Sequence, residues 1–120
     1  MQNLNILLFE DDELLQRLQV KLFDSMGHST TGVEDCQKGL EVLKKQTFDI
    51  IFMDINMPGI NGIECTRKIQ ALGIDTPIVA LSGHDRESTQ EECFAAGMCA
   101  FLEKPTNKVN FNALISELLG

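Results

Sequence analysis

Three short stretches of unbroken apolar residues constrain this chain more than any other feature: Ile6-Leu7-Leu8-Phe9, Ile50-Ile51-Phe52-Met53 and Ile78-Val79-Ala80-Leu81. None alternates with polar residues, so both faces of each segment must be buried. That is the condition of central strands in a parallel sheet covered by helices on both sides. Weaker strand candidates lie near Ser29–Val33 and Cys99–Leu102, bringing the expected count to five.

Between the runs the apolar period changes to that of a helix. Leu15, Leu18, Leu22 and Met26 recur at spacings of three and four behind an acidic start, and Gly27 closes the segment. Leu40, Val42 and Leu43 predict a shorter helix opened near Gly39. Ile63, Ile69 and Leu72 predict a third, closed by Gly73. The stretch from about Asp85 to Ala96 reads as a polar helix stopped by Gly97, with a thin stripe of Cys93 and Ala96. Phe111, Leu114, Ile115, Leu118 and Leu119 give the last and clearest stripe. Strand and helix thus alternate five times. With right-handed crossovers this order predicts an α/β fold, a flavodoxin-like (βα)5 doubly wound sheet, all parallel, with strand order 2-1-3-4-5. Without repeats, low-complexity stretches or a linker, residues 1–120 are expected to form one domain.

Composition narrows the function classes. A net charge of −8, with no local basic stripe, excludes direct nucleic-acid binding. The N-terminal apolar segment Leu4–Phe9 runs straight into Glu10-Asp11-Asp12-Glu13, too short for a membrane span and too acidic for a signal peptide. No direct membrane contact is expected. Cys36, Cys65, Cys93 and Cys99 form no CxxC pair and have no histidine at zinc-finger spacing, so structural metal is not expected. Several lie on apolar stripes, where cysteine acts as a small hydrophobe, and the pattern suits a reducing cytoplasm.

In a sheet of this order, chemistry gathers beyond the carboxyl ends of the strands, at the switch point between strands 1 and 3. The first strand delivers Glu10, Asp11 and Asp12; the third delivers Asp54 and then Asn56. The fourth delivers Ser82, and the fifth delivers Lys104 and Pro105. Singly, each has a plain structural role: a helix cap, a turn residue, a solvated loop lysine. Together they would place several carboxylates in one small patch, where each raises the others' pKa. A divalent cation relieves that conflict, and all-oxygen donors suit Mg²⁺ or Mn²⁺. With the amine of Lys104 beside the metal, the patch becomes a site for phosphate.

The pieces Leu7-Leu8-Phe9-Glu10-Asp11-Asp12, Met53-Asp54-Ile55-Asn56-Met57-Pro58-Gly59-Ile60-Asn61-Gly62, Ala80-Leu81-Ser82-Gly83 and Phe101-Leu102-Glu103-Lys104-Pro105 resemble response-regulator receiver domains, and the resemblance covers essentially the whole chain. It implies that Asp54 is the phosphoacceptor. It implies that Glu10 and Asp11 bind Mg²⁺, Asp11 directly and Glu10 through water, with the backbone carbonyl of Asn56 completing the protein ligands. Lys104 would contact the phosphoryl group, through a peptide bond to Pro105 that is commonly cis in the family. Ser82 would close on a phosphoryl oxygen, and Phe101 would turn inward with it. His84, two residues beyond Ser82, would lie near the phosphate entrance or be a plain surface histidine. Glu at position 10, Phe rather than Tyr at 101 and Cys at 99 are departures that remove no part needed for chemistry.

The same resemblance implies a histidine kinase or histidine phosphotransfer protein as phosphodonor. It also implies a downstream protein partner on the face of helix 4, strand 5 and helix 5. The domain would catalyse its own phosphoryl transfer and a slow aspartyl-phosphate hydrolysis, with no separate enzymatic effector domain in a chain ending at Gly120. The segments Gly62–Ile69 and Ala95–Thr106 are closer to receivers fused to hybrid sensor kinases than to those of transcription regulators. Other functions fit less well. A receiver that has abandoned phosphorylation would lack one of the acidic residues or the lysine. A metal-dependent phosphohydrolase would want Asp at position 56, and a flavodoxin would place Ser, Thr or Gly at the first loop.

Overall fold

The computed structural model describes residues 3–83, 86–104 and 106–119. The elements alternate as expected: β1 (Asn5–Phe9), α1 (Glu13–Ser25), β2 (Ser29–Val33), α2 (Cys36–Lys45), β3 (Ile50–Asp54), α3 (Gly62–Ala71), β4 (Ile78–Ser82), α4 (Arg86–Ala96), β5 (Ala100–Glu103) and α5 (Lys108–Leu119). All pairings are parallel and the sheet order is β2-β1-β3-β4-β5. The three unbroken apolar runs are the central strands. β3 and β4 are buried at every position, whereas the edge strands β2 and β5 are only partly covered. Partial cover on one side explains why the edge strands carry the weaker apolar signal.

Alternate side chains of the central strands feed two cores. Leu7, Phe9, Ile51, Met53 and Ala80 point into one, with Cys36 and Leu43 of α2, Cys65 and Ile69 of α3, and Cys93 of α4. Ile6, Leu8, Ile50, Phe52, Val79 and Leu81 point into the other, with Phe23 of α1 and Phe111 and Leu114 of α5. Phe23, Phe52 and Phe111 pack against one another with ring centroids 4.7–5.7 Å apart. This period-two division fixes the register: a slip of one residue would exchange the two cores.

Three expectations need correction. Gly39 does not open α2, which begins at Cys36 behind an N-cap at Asp35, whose carboxylate accepts from Lys38 N at 2.8 Å. Gly39 lies inside the helix because a Cβ there would sit 2.0 Å from the Phe9 ring. The glycine lets α2 lie directly on β1. In α1, Leu18 faces solvent at 53% exposure, while Gln19 and Phe23 are the buried residues. The core-facing side of α1 keeps Leu22 and Met26 but runs through Gln19, Val20 and Phe23 rather than through Leu18, which lies outside with Leu14. Finally, Cys36 and Cys65 do not act as separate small hydrophobes. They form a disulfide between α2 and α3, with Cα atoms 5.7 Å apart, inside the range that such a bond demands. Cys93 is a buried free thiol, while Cys99 is exposed.

Candidate phosphoryl-transfer site

Four of the five strands, β1, β3, β4 and β5, each end by delivering one polar side chain to the same end of the sheet. Glu10 directly follows β1 and is wholly buried, its backbone N–H bonded to Val33 O. Asp54 ends β3 at 1% exposure, and Ser82 ends β4 wholly buried. Lys104 follows β5, its backbone N–H bonded to Ser82 O at 2.8 Å. The lysine side chain reaches back across the ends of β4 and β3. Its Nζ donates to Asp54 Oδ2 at 3.1 Å and to Glu10 Oε1 at 3.3 Å.

Backbone donors hold both carboxylates in place. Asn56 N–H donates to Asp54 Oδ1 at 3.0 Å, and Asp12 N–H donates to Glu10 Oε2 at 3.1 Å. Gln16, from the first turn and a half of α1, donates its amide to the Glu10 backbone carbonyl at 2.9 Å. The loop after Asp54 is seated by Gly62, whose N–H bonds Ile55 O at 3.2 Å. A Cβ on Gly62 would stand 2.4 Å from the Asp54 carbonyl oxygen, so only glycine lets α3 start this close to the end of β3.

The electrostatics are those of crowded carboxylates. Glu10, Asp11 and Asp54 each offer an oxygen, and these lie within 4.8 Å of one another. Burial first, and then the Asp54 charge, push the Glu10 carboxyl up to about 7. A buried acid raised this far has too little positive charge around it, which is the condition a bound divalent cation corrects. Lys104 supplies part of that charge. Burial alone would lower its pKa, but the Asp54 and Glu10 carboxylates outweigh it and hold the amine above its ordinary range.

Most of the expected residues therefore converge: Glu10, Asp11, Asp54 and Lys104 through side chains, and Asn56 through its backbone N–H rather than the carbonyl expected of it. Asp12 does not join them. It is the N-cap of α1, its carboxylate accepting from Leu15 N at 3.0 Å. Phe101 pairs with Ala80 in the sheet and is half-buried against the core beneath α2, α3 and α4. His84 and Pro105, with its expected cis bond, lie outside the described residues. Sequence reading missed Gln16, and it quoted Gly62 within the motif without assigning it a packing role. Gln16 carries no signal, since its role depends on where α1 turns over Glu10; the glycine at the start of α3 could have been read as a close approach. Beside the carboxylates, Asp11, Glu13, Gln16, Gly32, Val33, Glu34 and Lys38 line a polar cleft of about 390 Å³.

A doubly wound sheet carrying buried acids at the end of its first and third strands, bridged by a lysine from its last, defines a phosphoryl-transfer switch domain. Residues 6–116 match the response regulator receiver domain family, and the chain belongs to it. It is 35% identical to the histidine kinase CKI1 of Arabidopsis thaliana over 87% of its own length and 11% of the kinase. With the sensor histidine kinase RcsC of Salmonella typhimurium it shares 31% identity over 83% of its length and 10% of RcsC. The chain thus spans about a tenth of these relatives. Among solved structures, the receiver domain of the sensor histidine kinase PA1611 from Pseudomonas aeruginosa, solved with magnesium in its active-site cleft, superimposes with a TM-score of 0.87. It is 30% identical, with 99% of each chain covered. The Vibrio cholerae chemotaxis protein CheY4 shares the fold at a TM-score of 0.90 and 22% identity, over 98% of this chain and 99% of its own. The chain is a receiver domain of two-component signalling. Such domains interact with histidine kinases and phosphotransfer proteins. Among the described residues no helix is long and apolar enough to cross a membrane.

Proposed function

We propose that Asp54 is the phosphoacceptor of this receiver, taking a phosphoryl group from the phosphohistidine of a histidine kinase or histidine phosphotransfer protein. The observation that carries the reading is the Lys104 ammonium held between two buried carboxylates, Asp54 and Glu10. A fixed cation at that point is suited to the negative charge that spreads over the phosphoryl oxygens during transfer. An Asp54 carboxylate oxygen forms the new O–P bond as the donor's N–P bond breaks and the imidazole leaves. Phosphohistidine donation rests on family membership rather than on geometry.

Glu10, Asp11 and Asp54, with the backbone carbonyl of Asn56, would hold Mg²⁺, and Mn²⁺ would fit the same oxygen donors. When bound, the ion neutralises phosphoryl charge and keeps the crowded carboxylates ionised. Ser82, buried at the end of β4, is proposed to close on a phosphoryl oxygen, with Phe101 following inward. That movement would alter the face of α4, β5 and α5 offered to a downstream protein partner. Water then hydrolyses the acyl phosphate slowly, so the domain's catalysis is limited to its own phosphorylation cycle. We place residues 1–120 in one receiver unit of the cytoplasm. Similarity to hybrid kinases makes a larger sensor kinase its natural setting.

Incubation with acetyl phosphate and Mg²⁺ should add one phosphoryl group, resolved by intact mass. Asp54→Asn should abolish the addition while leaving the circular dichroism spectrum unchanged. Undiminished labelling of that variant would overturn the assignment. Ser82→Ala should still be labelled but lose most of the beryllofluoride-induced chemical-shift change in α4 and β5.

A further inference from the structure

The Cys36–Cys65 bond plays no part in the chemistry above, yet its position relates it to the site. Cys36 is the first residue of α2 and Cys65 lies in the first turn of α3. The bond closes a loop with a sequence separation of 29, and Asp54, Asn56 and the segment that seats α3 all lie inside it. The α3 end of the crosslink is fastened to the phosphoacceptor strand: Cys65 N–H bonds Asn61 O at 2.9 Å, and Gly62 N–H bonds Ile55 O at 3.2 Å. Residues 55–64 therefore connect the end of β3 to the crosslinked turn of α3.

We propose that Cys36 and Cys65 are a reversible thiol–disulfide site whose oxidation stiffens the loop following Asp54. Its reaction partner is a small-molecule disulfide of the glutathione class. One cysteine gives up its proton and its sulfur attacks one sulfur of the external disulfide, expelling a thiolate that takes up that proton. The second cysteine likewise loses a proton, attacks the protein sulfur of the mixed disulfide and expels the second thiolate, which is protonated in turn. Two protein thiols and one external disulfide become one protein disulfide and two external thiols. Cys36 is placed to react first. Its sulfur is buried, but Glu34, Gln37 and Lys38 around it are exposed, and a helix end needs only local opening to uncover its first residue. In a reducing compartment such a bond is transient and regulatory rather than structural. The link to phosphoryl uptake rests on the function proposed above; the redox chemistry and its effect on the loop do not.

Folded protein is equilibrated in glutathione buffers from fully reduced to fully oxidised, then quenched by alkylation and mapped by mass spectrometry. Hydrogen exchange of residues 55–64 is measured on the same samples. The expected result is a reversible transition confined to Cys36 and Cys65, with Cys93 and Cys99 remaining thiols, and severalfold slower exchange of the loop in the oxidised form. Three results overturn the proposal: a pair fixed in one state across all buffers, a bond involving other cysteines, or loop exchange identical in both forms. The double variant Cys36→Ala/Cys65→Ala should show loop exchange indifferent to the glutathione ratio; persisting redox sensitivity there would also overturn it.

Discussion

Lys104 Nζ lies 3.1 Å from Asp54 Oδ2, joining the end of β5 to the end of β3 across the intervening β4. The same amine lies 3.3 Å from Glu10 Oε1, so one cation serves two carboxylates drawn from two further strands. Removing it leaves two buried acids facing each other. Lys104→Met should lower stability by about 2–3 kcal/mol, less than the roughly 3–5 kcal/mol of a fully buried pair because the lysine side chain retains 16% exposure. Urea unfolding with and without MgCl₂ tests this. If a cation replaces the missing charge, the loss should shrink in saturating Mg²⁺; an equal loss in both would count against the metal site.

Glu10 makes metal-free stability depend on pH. Its folded pKa is pushed up to about 7, above its ordinary 4.5. Between those values the folded protein keeps a proton that the unfolded chain has released. Stability from this group is therefore fully present below about 4.5 and is lost as pH rises through about 7, because the unfolded state binds fewer protons. Glu10→Gln should remove the slope and gain up to about 3 kcal/mol relative to the parent at pH 8, with little difference near pH 4. Thermal melts across that range in EDTA are the measurement, and parallel curves for the two proteins would refute the assignment.

His28 should contribute a slope of opposite sign. Its Nδ1 accepts from Leu4 N–H at 3.0 Å and its ring packs on Phe111, so burial lowers its pKa. The stability it provides is complete above its ordinary 6.5 and is lost as pH falls below that value, when the unfolded chain takes up a proton the folded ring resists. An NMR titration should place the His28 midpoint below its ordinary 6.5. A midpoint at or above that value would contradict the buried acceptor role.

Gly39→Ala is an unusual helix substitution because it should destabilise. Alanine would ordinarily favour a helix interior by about 1 kcal/mol over glycine. Here its Cβ would meet the Phe9 ring at 2.0 Å, and overpacking of this kind costs roughly 1–3 kcal/mol. A net loss in urea unfolding is expected, with substantial recovery in the double variant Gly39→Ala/Phe9→Leu. A stabilised single variant would show that α2 is free to lift from the sheet.

Reduction of the Cys36–Cys65 bond should cost about 3–4 kcal/mol from the freed chain entropy of a loop with a separation of 29 residues. The melting temperature should fall by about 10 °C or more in dithiothreitol. Cys36→Ala/Cys65→Ala should melt at the same temperature with and without reductant.

The topology was legible because unbroken apolar runs at residues 6–9, 50–53 and 78–81 leave one architecture that buries both of their faces. The convergence of Glu10, Asp54, Ser82 and Lys104 followed from that order, since each directly ends or follows a strand. What escaped depends on contacts between elements. Gly39 looked like a helix start because its spatial partner, Phe9, lies thirty residues away. The α1 stripe was misjudged at Leu18, which is apolar but faces outward, while the buried position beside it holds Gln19. Cys36 and Cys65 met because the first turns of two adjacent helices share a face, a relation no spacing motif encodes.

The pairing of Glu10 with Lys104 spans 94 positions, nearly the whole receiver unit. A chain growing from its amino terminus can build the sheet as far as β4 and still present only an unneutralised nest of acids. On the function proposed above, the site is complete only once β5 docks and carries its ammonium into place. A receiver unit cut short of that strand would hold its acids without the cation that bridges them.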